Sequence, residues 1–180
     1  MYLSFDIFVM SSSSSGGGSP VLGYKEAVDI EATYLYPSSA VEIEMLRDVW
    51  TADQDSHHTR LAYANSLYRS TNSNDVRESL IHFNHLQQQG VYYNECLLGM
   101  ALAHYSLGDY ELSRSFIDEL FRADANPHYK SLHQGISFRL EQKKKAQSHE
   151  ENIAIGAAAA GVGILALGAA LTFAFASRKK

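Results

Sequence analysis

Apolar residues recur at intervals of three and four along most of the chain, and between residues 57 and 145 no segment alternates as a strand does. Residues 59–70 place Leu61, Ala64, Leu67 and Tyr68 on one helical face. Asn74 and Asp75 then offer an N-cap for a second helix bearing Val76, Leu80, Phe83 and Leu86, which Gly90 stops. A third helix over 92–107 carries Cys96, Leu97, Met100, Ala101, His104 and Tyr105. Gly108 and Asp109 break the chain and restart it into a fourth, with Leu112, Phe116, Ile117, Leu120 and Phe121. Asn126 caps a fifth beginning at Pro127, where a missing N–H has no intrahelical partner to lose. Upstream, Pro37, Ser38 and Ser39 lead into helical spacing at Val41, Met45, Leu46 and Trp50.

The second and fourth helices are in register at a separation of 34: Ser79 with Ser113, Phe83 with Ile117, Leu86 with Leu120. The first and third match at 37, Ala64 with Ala101 and Tyr68 with Tyr105, so the first unit has a turn three residues longer. A helix-turn-helix repeat of about 34 residues is the tetratricopeptide period. The match is degenerate, since the usual Trp is absent, Ser replaces Ala at 79 and 113, and Pro127 lies two residues late. Two units cannot bury both ends of their stack, so helices over about 40–53 and 127–145 are the expected caps. The predicted fold is an all-α, tetratricopeptide-like bundle of about six helices, followed by one C-terminal transmembrane helix.

That last helix comes from a change in pattern. Residues 153–176, IAIGAAAAGVGILALGAALTFAFA, are 24 residues without a charge, followed by Ser177, Arg178, Lys179 and Lys180. As a helix the run reaches ~36 Å, enough to cross a hydrocarbon core of ~30 Å with some tilt. A buried Ala-rich core helix is the alternative, but such helices seldom run this long uncharged. The expected arrangement is a tail anchor inserted after translation, with the preceding domain in the cytosol. Fourteen of the 24 residues are Ala or Gly, a modest hydrophobicity that, with the basic tip Arg178, Lys179 and Lys180, favours the mitochondrial outer membrane, then the peroxisome, over the secretory route. Small residues at i and i+4, such as Gly156 and Ala160, leave room for homo-oligomerisation through the span.

Charge and composition narrow the remainder. The 20 acidic residues all precede the span, against 12 Lys and Arg, so that part is net −8 and the tip +3. An acidic domain argues against nucleic acid as a partner. The single Cys96 excludes an internal disulfide framework and fits a reducing compartment. Residues 1–23 read as a disordered Ser/Gly-rich leader: MYLSFDIFVM lacks the basic start of a signal peptide, and SSSSSGGGSP is low-complexity linker. Residues 24–56 form an N-terminal arm and capping helix, 57–145 the two repeats and C-terminal cap, and 146–152 a linker to the span. Lys143, Lys144 and Lys145 sit close enough to the span to touch anionic headgroups. His82 and His85, three apart, and the adjacent His57 and His58 are not joined by carboxylates or Cys at ligand spacing, so surface histidines are expected and no metal. No nucleophile motif or phosphate loop appears, so neither enzymatic activity nor a cofactor is expected.

Tetratricopeptide pairs form a concave groove lined by the first helix of each unit. Counted from the small crossing residues Ala64 and Ala101, the lining positions are Leu61, Asn65 and Tyr68, and Leu98, Leu102 and Tyr105. An apolar groove with a polar rim suits an amphipathic helix or an extended peptide.

The strings TRLAYANSLYRS (59–70), NDVRESL (74–80), NECLLGMALAHYSLGDYELSRSFIDELF (94–121) and the C-terminal tail resemble the mitochondrial fission 1 protein family over about residues 35–180. LYP at 35–37 with EMLRDV at 44–49 is similar to the N-terminal arm of its longer members. The resemblance implies a non-enzymatic adaptor on the mitochondrial and peroxisomal surface that recruits a dynamin-related GTPase, directly or through adaptor proteins. It also implies that an arm containing Leu35, Tyr36 and Pro37 occupies the groove and regulates access. Asn65, where an aromatic is common, and the leader depart from the family pattern. The alternative is a tail-anchored co-chaperone or import receptor binding client peptides. That role needs a Lys or Arg clamp, and the groove positions supply only Asn65.

Overall fold

The computed structural model describes the backbone of residues 21–124 and 126–176, and the side chains of 23–124 and 126–151. Within them are α1 (Val21–Tyr34), α2 (Ala40–Ala52), α3 (His57–Leu67), α4 (Ser73–Gln88), α5 (Tyr93–Ser106), α6 (Tyr110–Ala123) and α7 (Pro127–Ala176), with no strand among the described residues. From α2 to α7 each helix packs on the next in chain order, whereas α1 lies against α7 at the far end of the sequence.

Short polar side chains start the helices. Ser39 Oγ accepts from the Glu42 N–H (3.1 Å) and Ser56 Oγ from the Thr59 N–H (3.4 Å). The cap of α4 is Asn72, two residues before the expected position, and its side chain accepts from the Asn74 N–H at 3.0 Å. Asp75 points back to Ser70 Oγ (2.6 Å) and ties the turn instead. α5 begins one residue after Tyr92, which takes a left-handed φ of 52°.

Two glycines end α4 and α5. Gly90 (φ 70°) and Gly108 (φ 75°) sit where a left-handed residue ends a helix. At each, paired backbone bonds satisfy the last carbonyls. Asp109 N–H reaches His104 O at 2.8 Å and Gly108 N–H reaches Tyr105 O at 3.0 Å; Val91 to Leu86 and Gly90 to Gln87 repeat the arrangement.

The main core gathers Ala64, Phe83, Leu86, Leu97, Met100, Ala101, Ile117 and Leu120, and receives Leu132 and Ile136 from α7. α4 and α5 approach so closely that a Cβ on Gly99 would lie 2.3 Å from the Phe83 ring. Serine at the two small positions is buried and satisfied: Ser113 Oγ donates to Ala101 O and Ser79 Oγ to Val76 O, both at 2.7 Å. A second cluster joins α2 to α3 through Ile43, Tyr63 and Leu67, with Leu46 and Trp50.

Several positions differ from the pattern-based expectation. Val41, Met45, Leu112 and Phe121 were placed on packing faces but lie exposed, and α2 turns Ile43 inward instead. Residues 21–23 start α1 rather than ending a leader, and 146–152 are helical backbone within α7 rather than a linker. Among the described residues no helix is long and apolar enough to cross a membrane. The run 153–176 is helical in backbone, and its side chains, like residues 1–20 and the tip Arg178, Lys179 and Lys180, lie outside the described residues.

Candidate functional site

The six groove positions fall on α3 and α5 and at the α3 C-cap, as the repeat spacing requires, but they do not form an open channel. Leu61, Tyr68, Leu102 and Tyr105 are buried in one cluster that also contains Ile30 of α1, and Leu98 packs against it, partly buried. Asn65 is half-buried, and its carbonyl accepts from Arg69 Nε at 3.1 Å. The chain's own first helix covers the concave side.

The seam of α1 is Gly23, Ala27, Ile30 and Tyr34, spaced four, three and four, which is one face of a helix. Ala27 and Ile30 are buried. Opposite them, Gly135 of α7 leaves room for close contact: a Cβ there would meet the Ala27 backbone nitrogen at 2.8 Å and Ile30 Cδ1 at 2.7 Å. Gly23 likewise sits against Phe138, 2.7 Å from where its own Cβ would be. Those glycines and alanines were the sequence signal for this helix. A short stretch with small residues has little hydrophobic contrast, so it reads as an arm until its partner helix is known.

Polar contacts hold α1 down on both sides of the seam. Tyr105 Oη donates to Glu31 Oε1 (2.9 Å), Arg139 Nη2 donates to the same oxygen (2.6 Å), and Arg139 Nε reaches Tyr105 Oη (3.3 Å). One carboxylate therefore links α1 to α5 and α7 together. Burial is the main cause pushing the Tyr105 phenol well above its ordinary range, so it stays a donor throughout the physiological range. At the other end Tyr34 Oη hydrogen-bonds the His128 ring. A cleft of about 400 Å³ opens between α1 and α7, lined by Lys25, Asp29, Thr33, His128 and Ser131 among others.

Of the three arm residues picked out by resemblance, Leu35 packs on the core cluster, while Tyr36 and Pro37 are exposed. The turn they occupy is pinned over the end of the repeat. Ser38 N–H donates to Arg69 O (3.2 Å), and Arg69 pairs with Glu42 (3.0 Å). The covering work falls to Ile30, Glu31 and Tyr34, which sequence reasoning passed over.

Nothing at the groove suggests a metal or a nucleophile. Among the described residues no group of three or more His, Cys, Asp or Glu side chains is arranged to hold a metal ion. Cys96 is buried in the core, and burial pushes its thiol up to about 11, far from a reactive thiolate. His82, read from spacing as a surface residue, is buried edge-on against both Trp50 and Tyr63.

No family model matches the chain, and no curated protein matches it. Among solved structures it is similar to the crystal structure of fission protein Fis1 from Saccharomyces cerevisiae, at 22% identity and a TM-score of 0.58, over 63% of this chain and 92% of that one. It is also similar to yeast Fis1 in complex with an Mdv1 fragment containing N-terminal extension and coiled-coil domains (22%, TM-score 0.58, 61% and 91%). The solution structure of yeast mitochondria fission protein Fis1 gives 21% identity and 0.55, over 65% and 82%. The chain has the fold of these fission proteins.

Proposed function

We propose that this chain is a non-catalytic membrane adaptor for mitochondrial fission, binding partner proteins through the α3/α5 groove. The observation that supports this reading is an apolar cluster of α3 and α5 residues at the tetratricopeptide groove positions, packed with Ile30 of α1, on a fold whose yeast example forms a complex with an Mdv1 fragment. In this reading residues 153–176 anchor the chain in the outer membrane, with Arg178, Lys179 and Lys180 beyond the span, and the peroxisomal membrane is a second address. The partners are a dynamin-related GTPase or its adaptor proteins, and the mechanical work belongs to the GTPase.

α1 sets the terms of access. A partner helix entering between α3 and α5 must either displace Ile30 and Tyr34 or pack along them. An attached segment competes at an effective concentration in the millimolar range, so displacement weakens binding until the tie at Glu31 is broken. The co-chaperone alternative gains nothing from the groove, whose neighbouring cations, Arg69 and Arg139, are already paired with Glu42 and Glu31.

The test is localisation with organelle shape. A fluorescent fusion at the N-terminus of the full chain, and one lacking residues 153–180, are imaged while the endogenous protein is depleted. Label on mitochondria that requires 153–180, with elongated mitochondria after depletion, is expected. An endoplasmic reticulum signal with unchanged organelles would overturn the reading.

A further inference from the structure

α2 is apolar on two sides. Ile43, Leu46 and Trp50 face α3, while Val41, Met45 and Val49 follow one another at i, i+4 and i+8 on the other side. Val41 is 78% exposed, Met45 57% and Val49 47%. The end of a repeat stack ordinarily turns a polar face outward. α2 ends the stack and does the opposite.

The rim of this stripe is acidic. Residues 40–55 contain five carboxylates, Glu42, Glu44, Asp48, Asp53 and Asp55, against the single cation Arg47. Arg47 donates to Tyr63 Oη at 3.0 Å and pairs with Glu44 at 2.9 Å. At 100° per residue, Glu44 and Asp48 border the stripe on one side and Glu42 on the other; Glu42 is paired with Arg69 (3.0 Å) and Glu44 with Arg47, so Asp48 is the bordering carboxylate with no ion pair among the described residues.

We infer that the outer face of α2 is a docking surface for a single amphipathic helix of a protein partner, one with an apolar seam flanked by Lys or Arg. Apolar seams meet along about two turns, and basic flanks answer the carboxylate rim. Charge decides among occupants. Pairing α2 with that of a second copy sets the same carboxylates against each other, a repulsion that selects against it. Residues 1–10 of this chain, MYLSFDIFVM, supply apolar side chains but no cation, and Asp6 adds another carboxylate. The surface uses none of the groove residues, so its failure leaves the groove reading untouched.

The experiment uses the full chain in lipid nanodiscs and two fluorescent helical peptides of about 14 residues with identical leucine seams, one flanked by Lys and one by Glu. Anisotropy is expected to give at least about tenfold tighter binding of the Lys peptide. Val41→Ser with Met45→Ser is expected to weaken that binding at least about tenfold, and Asp48→Lys about threefold. Added salt is expected to narrow the gap between peptides. All three substitutions are at exposed positions, and unchanged Trp50 fluorescence checks that α2 remains docked. Equal binding of the two peptides, absence of binding, or indifference to the Val41/Met45 change overturns the inference. So does a dimer in sedimentation that Met45→Ser abolishes, which assigns the face to a second copy. About tenfold tighter peptide binding after removal of residues 1–20 overturns it too, by assigning the face to that segment.

Discussion

Two helices outside the repeats, α1 and α2, adjoin in sequence and are held by opposite means. α2 is fastened to the stack by stacked aromatic rings. Trp50 lies 5.4 Å from Tyr63 with planes 10° apart, His82 meets Trp50 edge-on at 4.7 Å, and Arg60 lies 5.6 Å over the indole. α1 is fastened by a seam of small residues, one isoleucine, and a carboxylate shared between a phenol and a guanidinium. Ring stacking buries large areas and fails only when α2 unfolds from α3. A small-residue seam with part-exposed polar ties releases at much lower free energy. α1 is therefore expected to release before α2.

The largest break in that comparison is Trp50→Ala. It removes the stack and leaves Tyr63 and His82 facing a void, and about 3 kcal/mol of stability should go with it. Thermal unfolding would show the loss, with hydrogen exchange rising first in α2 and little changed in α1. Gly135→Ala acts on the other region. Its new Cβ meets the α1 backbone and not a flexible side-chain tip, so α1 must move, and overpacking of this kind costs about 2 kcal/mol. The α1 amides are expected to lose exchange protection while Trp50 fluorescence stays constant, and partner binding to the groove should rise. Were α2 to loosen as well, the two helices would not be independent.

Tyr105→Phe is milder. It deletes the hydroxyl bonded to Glu31 and Arg139 while keeping the ring among its neighbours, for a loss of about 1 kcal/mol confined to α1 exchange. The smallest effect is on α2 and comes from pH. Burial lowers the His82 pKa below its ordinary value of 6.5, against the opposing pull of Glu78 at 3.7 Å. The unfolded chain thus takes up that proton first. The contribution is full above the unfolded-chain value and is lost as pH falls through it toward the lower folded-state value. Unfolding midpoints between pH 7.5 and 5 should show that decline, and His82→Asn should flatten it.

The repeats were legible from spacing because each of their helices meets neighbours on a wide, strongly apolar face. Leu97, Ala101, Ile117 and Leu120 are buried as periodicity required. The same register, counted from Ala64 and Ala101, placed the six proposed groove positions on α3, its C-cap and α5. The covering helix was not legible. Gly23 and Ala27 carry almost no hydrophobic signal, and they matter only because α7, more than 100 residues later, presents Phe138 to the one and Gly135 to the other. α2 misled in another way. Its apolar residues fill two faces, so Val41 and Met45 were as eligible for the core as Ile43, and no periodicity could choose.

By itself the sequence determined an all-α chain, its repeat period, its turns at Gly90 and Gly108, its acidic charge and its long apolar C-terminal run. Those properties reside in local spacing and composition, where each residue's neighbours are a few positions away. Only the tertiary structure decided that α1 closes the groove, that one carboxylate on it joins α5 to α7, and which side of α2 faces out. Each of those depends on surfaces distant in sequence meeting, and their shape and charge have no counterpart in a single helix's pattern.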